Sequence, residues 1–148
     1  MFQIVRRRCY VTYRFHKPLI QVIDDDDRIR EMLTVYLTEE GYEVFLSENG
    51  LEGLDDAQQL RPDMILLDLR LPGRPGEEVC KAIREDGDAR FAQTPILMVT
   101  GKIADVDRVI GMVVGATGYL PKPFELSVLL QEVHRCLGPR GGEAKQAA

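Results

Sequence analysis

The chain has 148 residues, 45% hydrophobic and 29% charged, which is the size and balance of one globular domain and excludes disordered, collagen-like and coiled-coil chains. No apolar run approaches the ~20 residues that cross a bilayer, and Arg6, Arg7 and Arg8 interrupt any apolar core of a signal peptide. Residues 1–17 carry five basic residues and no acid, so the net charge of −5 leaves a formal −10 on the other 131 residues, a balance that argues against direct nucleic-acid binding.

From residue 18 to 137 short apolar runs alternate with helical periodicity five times. The first run, residues 19–23, is a predicted strand that stops at Asp24. A helix follows, with Ile29, Met32, Leu33, Tyr36 and Leu37 on one stripe, and Gly41 ends it in the place that favours a left-handed residue. A second strand is predicted over residues 42–46. The next helix carries Leu51, Leu54, Ala57 and Leu60 and closes at Pro62. The third strand, residues 64–67, is wholly apolar, as a strand covered on both faces should be, and it ends at Asp68.

A loop rich in Pro and Gly leads to a third helix around residues 77–84, and residues 85–94 read as a long polar loop. The fourth strand covers residues 96–99 and ends at Thr100-Gly101. The remaining elements are a helix over 104–114, a strand over 117–120 and a helix over 126–137 striped by Leu126, Leu129, Leu130, Val133 and Leu137. Strand followed by helix throughout predicts an α/β fold: a doubly wound, five-stranded parallel sheet of flavodoxin-like (βα)5 type, order 2-1-3-4-5. The expected organisation is a basic N-terminal extension (1–17), one domain (18–137) and a small polar C-terminal tail (138–148).

In such a sheet ligands bind beyond the carboxyl ends of the strands, at the point where strand order reverses. Strand one delivers Asp24 to Asp27 there, strand three Asp68, strand four Thr100, and strand five leads into Lys122. Asp26 and Asp27 are explained as helix-capping acids. The others are not. Carboxylates converging from neighbouring strands repel unless a cation neutralises them, and a hard divalent ion such as Mg2+ does so while keeping positions for a phosphate.

The segments Val22-Ile23-Asp24-Asp25-Asp26, Ile65-Leu66-Leu67-Asp68, Leu71-Pro72-Gly73, Met98-Val99-Thr100-Gly101 and Tyr119-Leu120-Pro121-Lys122-Pro123-Phe124 together resemble the receiver domain of two-component response regulators. The resemblance implies that Asp68 accepts a phosphoryl group. It implies that Asp24, Asp25 and Asp68, with the main-chain carbonyl of Arg70, hold Mg2+. Thr100 and Lys122 would contact the phosphoryl group, Thr100 and Tyr119 would form the coupled switch, and the Lys122-Pro123 peptide would be cis. The readout face would comprise the fourth predicted helix, the fifth strand and the last helix.

On this reading the protein is a stand-alone signalling switch that catalyses only its own phosphoryl transfer and dephosphorylation. Its expected partners are a histidine kinase or phosphotransfer protein and a downstream protein target, with neither nucleic acid nor membrane bound. It would be a monomer or a phosphorylation-dependent homodimer. Alternatives are a receiver fragment of a longer DNA-binding regulator and a phosphorylation-independent binding module. A hydrolase with a second acid two places after the nucleophile is disfavoured, because Arg70 stands there. Arg70 and Lys102 are both basic, and by the resemblance they would overhang the phosphoryl group and influence its hydrolysis. Thr117 and Gly118 replace the acids that many DNA-binding members use in a dimer. Cys9, Cys80 and Cys136 lack CxxC spacing and read as reduced thiols, which suits a cytoplasmic protein.

Overall fold

The computed structural model describes residues 17–101 and 114–138, so most of the helix expected over 104–114, together with Lys102 and Cys9, lies outside the described residues. Five parallel strands form one sheet in the order β2-β1-β3-β4-β5, as expected. They are β1 (Leu19–Ile23), β2 (Glu43–Ser47), β3 (Met64–Leu67), β4 (Ile96–Thr100) and β5 (Gly118–Pro121). The described helices are α1 (Asp27–Glu39), α2 (Gly50–Leu60), α3 (Gly76–Arg84), the short α4 (Ala89–Ala92) and α5 (Leu126–Leu137).

Both faces of the sheet are covered. On one, Leu33 and Leu37 of α1 meet Leu129 and Val133 of α5 over Ile20, Val22, Leu66 and Leu97. On the other, Leu54 and Ala57 of α2 and Val79, Cys80 and Ile83 of α3 pack over Ile23, Ile65, Leu67 and Met98. This double cover explains why β3 and β4 are buried at every position and read as unbroken apolar runs. Edge strand β2 is different, with Phe45 and Leu46 partly in solvent.

Several local expectations need correction. Strand β2 begins at Glu43, because the Tyr42 N–H is spent on the Leu37 carbonyl in the last turn of α1 and pairing with β1 starts at Glu43. Strand β5 is displaced by one residue, to Gly118–Pro121. The stripe on α1 is not purely apolar, since Met32 is 37% exposed while Arg30 is 8% exposed. The polar loop after α3 contains α4, which buries Phe91. There Asp88 caps α4 with its carboxylate, and the Arg61 guanidinium stacks 4.4 Å from the Phe91 ring centroid. Arg84 closes the same region by donating to the carbonyls of Ala92, Thr94 and Gly115 at 2.7–2.8 Å.

Register decides what meets at the carboxyl edge. Ile23 pairs with Leu67 across β1 and β3, so Asp24 and Asp68, the next residues, emerge side by side. Thr100 pairs with Pro121 across β4 and β5, which brings Lys122 to the same edge.

Candidate functional site

A cavity of about 380 Å³ opens at this edge, lined by Asp24, Asp25, Asp26 and Asp68 and by Arg70, Thr100, Gly101 and Lys122. Six of the seven expected site residues are therefore gathered in one place. The seventh, Tyr119, is half-buried on β5 and packs against the core on the α2 and α3 side.

The carboxylates are held by short local bonds. Asp24 Oδ1 accepts from the main-chain N–H of Asp26 at 2.9 Å, and Asp68 Oδ1 accepts from that of Arg70 at 3.1 Å. Asp26 caps α1 by accepting from Arg28 N–H, and Asp27 follows in the first turn, as the capping argument expected. The backbone of Asp68 is fixed from below by Gly76, where an added Cβ would lie 2.1 Å from the Asp68 carbonyl oxygen. Only glycine allows this approach.

Lys122 bridges the two strands. Its Nζ donates to Asp24 Oδ2 at 2.6 Å and to Asp68 Oδ2 at 3.1 Å. Burial by itself would lower the Lys122 pKa, but the bond to Asp24 and the charges of both acids outweigh it and hold the ammonium above its ordinary range. For Asp24 the balance falls the other way. Burial pushes its carboxyl up, and the bonds to Lys122 and to Asp26 N–H offset that only in part. The Lys122-Pro123 peptide that follows is cis.

Asp24, Asp25 and Asp68 each offer a carboxylate oxygen, and these oxygens lie within 4.8 Å of one another. Four carboxylates face two cations in the cavity lining, so the site stays acidic even with Lys122 in place. Hard oxygen donors at this spacing, with negative charge in excess, suit Mg2+ rather than a soft metal. Thr100 Oγ1 is buried and has no hydrogen-bond partner among the described residues, which leaves an unused donor beside the acids.

The sequence reading missed three supports: Gly76 beneath Asp68, Arg30 buried behind Asp24, and the Arg84 staple. Glycine eight residues past Asp68 was a visible signal for the first. An arginine next to an apolar stripe gives no such signal.

Comparison with known proteins bears on the family and the fold. The response regulator receiver domain family matches residues 20–134. The DNA-binding response regulator MtrA of Mycobacterium tuberculosis is 41% identical over 114 residues, which is 77% of this chain and 48% of MtrA. The chain thus spans about half the length of the curated relatives it matches. Chemotaxis protein CheY4 of Vibrio cholerae superposes with a TM-score of 0.76 at 37% identity, covering 82% of this chain and 100% of that structure. The receiver domain of sensor histidine kinase PA1611 from Pseudomonas aeruginosa, solved with magnesium coordinated in its active site cleft, gives 0.76 at 28% identity, covering 84% of this chain and 100% of that one. Among the described residues no helix is long and apolar enough to cross a membrane.

Proposed function

The chain belongs to the response regulator receiver domain family, and from that premise we propose that it is a cytoplasmic switch that takes a phosphoryl group onto Asp68 from a histidine kinase or phosphotransfer protein. The observation that carries this reading is the pair of bonds from Lys122 Nζ to Asp24 and Asp68 at the mouth of an acidic cavity. An Asp68 carboxylate oxygen attacks phosphorus and forms a P–O bond as the P–N bond of the donor phosphohistidine breaks. The electron pair stays with the imidazole, which takes up a proton. Catalysis of this kind is mainly positioning and charge neutralisation.

Asp24, Asp25 and Asp68, with the Arg70 carbonyl, are the groups that would hold Mg2+. When bound, that ion supplies charge neutralisation for the phosphoryl oxygens. Lys122, already on the Asp68 oxygen, moves its charge to the new phosphate. Thr100 donates its unused hydroxyl to a phosphoryl oxygen, and Tyr119 shifts into the space that Thr100 leaves. The change is read by a downstream protein through the face that β5 and α5 build. The protein's catalysis is confined to its own phosphorylation and dephosphorylation.

Intact mass after incubation with acetyl phosphate or phosphoramidate tests this. One added phosphoryl group is expected, absent without Mg2+ and absent in Asp68→Asn. No gain from either donor, or an undiminished gain in Asp68→Asn, would overturn it.

A second reading is favoured by one observation: the relatives named DNA-binding response regulator are about twice as long as the matched segment. The same switch would then be the receiver half of a longer regulator. An immunoblot of the native protein distinguishes the two by whether the band lies at the size of 148 residues or well above it.

A further inference from the structure

Arg30 is a buried cation on α1 that the helix's apolar stripe does not account for. It is nearly buried, one turn into the helix, and its Nη1 donates to the main-chain carbonyl of Asp24 at 2.7 Å. Its Nη2 donates to the Asp27 carboxylate and lies 3.6 Å from Glu48 Oε1, on the turn between β2 and α2. The guanidinium thus ties together the end of β1, the first turn of α1 and the β2–α2 turn.

The other hydrogen-bonding groups of Asp24 are held elsewhere. Its N–H donates to Ser47 O at 3.1 Å, Oδ1 accepts from Asp26 N–H, and Oδ2 accepts from Lys122. The carbonyl is the group left to Arg30. It belongs to the peptide that joins Asp24 to Asp25, so its direction sets the direction in which Asp25 leaves the strand. Two of the three clustered carboxylates hang on that peptide.

We propose that Arg30 is a positioning residue for the acidic site: through the Asp24 carbonyl it fixes the Asp24-Asp25 peptide in the orientation that lets both side chains face Asp68. The inference rests on Asp24, Asp25 and Asp68 being the Mg2+ site. Groups that orient metal ligands without touching the metal commonly govern affinity about 10- to 100-fold when removed.

The sign of the effect separates this role from a simple charge effect. Arg30 is a cation close to a cation site, so deleting its charge alone would tighten Mg2+ binding. Loss of positioning weakens it.

Mg2+ alone is titrated into the full metal-free chain, with binding followed by amide shifts at Asp25 and Arg70 and folding checked by thermal unfolding. Arg30→Gln is expected to weaken binding by about tenfold or more. Arg30→Lys, which retains a donor able to reach the carbonyl, is expected to fall between Arg30→Gln and the native chain. Glu48→Gln, which leaves the carbonyl bond intact, is expected to change affinity less than threefold, about the ordinary effect of one exposed charge. Unchanged or tighter binding by Arg30→Gln overturns the proposal. If that variant does not fold, unchanged or tighter binding by Arg30→Lys overturns it and weaker binding supports it. No Mg2+ binding by the native chain, or binding undiminished in Asp25→Asn, overturns the metal site itself instead.

Discussion

The two sides of the cavity handle polarity in opposite ways. On the side of β1 and β3, the hydrogen-bonding groups of Asp24 are all engaged, by Ser47, Asp26, Arg30 and Lys122, and Lys122 reaches across to Asp68 as well. On the side of β4, Thr100 is buried with a hydroxyl that has no partner among the described residues. A buried unsatisfied group costs roughly 1–3 kcal/mol. The first side is built to stay still. The second carries a cost that a phosphoryl oxygen would relieve, so on the proposed function the difference separates the part that would fix the chemistry from the part that would respond to it.

The sharpest way to break this comparison is to remove the bridge. Lys122→Met leaves the buried Asp24 and Asp68 carboxylates without their cation, and breaking a buried pair in this way costs about 3 kcal/mol or more. Urea unfolding of the metal-free protein should show that loss, and Mg2+ should recover part of it. A Lys122→Met variant as stable as the native chain would mean that this side is not held by the bridge.

Thr100→Val should have the opposite sign. The isosteric change removes a hydroxyl that bonds to nothing described, so a gain of about 1 kcal/mol is expected in the unphosphorylated protein. A loss of that size would show that the hydroxyl is already satisfied.

The smallest expected effect concerns pH. Burial first of all raises the Asp24 pKa above its ordinary 3.8 in the fold. The folded state therefore holds that proton more tightly than the unfolded chain. The group's contribution is full below 3.8 and is lost as pH rises through the folded pKa. Asparagine mimics the protonated form, so Asp24→Asn should match the native chain in acid and exceed it in Tm at neutral pH without metal. A lower Tm at neutral pH would show that the Lys122 bond outweighs burial.

Much of this was legible in the sequence because strand ends and register are local matters. Asp24, Asp68 and Thr100 close apolar runs, and an α/β chain with five such runs has few arrangements open to it. Lys122 follows a run by one residue and could be placed in the same way. What could not be read depends on contacts between distant segments. The bonds of Arg30 reach Asp24 and Glu48 from the second turn of a helix whose pattern suggested only an apolar stripe. The sequence 85–94 reads as polar loop because Phe91 is its one large apolar residue, and that residue is buried by core side chains from other segments, with Arg61 stacking on it from the end of α2. Tyr42 adjoins the apolar run of β2 in the sequence, yet its side chain belongs to the core with residues of α1 and α5.

The division between a fixed and a responsive side is tested most directly by amide chemical shifts with Mg2+ alone and then with Mg2+ and beryllofluoride, a phosphoryl mimic. The further change from beryllofluoride should be concentrated at Thr100, Gly101 and Tyr119, with Asp24 and its neighbours on α1 nearly still. A change confined to residues 24–30, with Thr100 and Tyr119 unmoved, would contradict it.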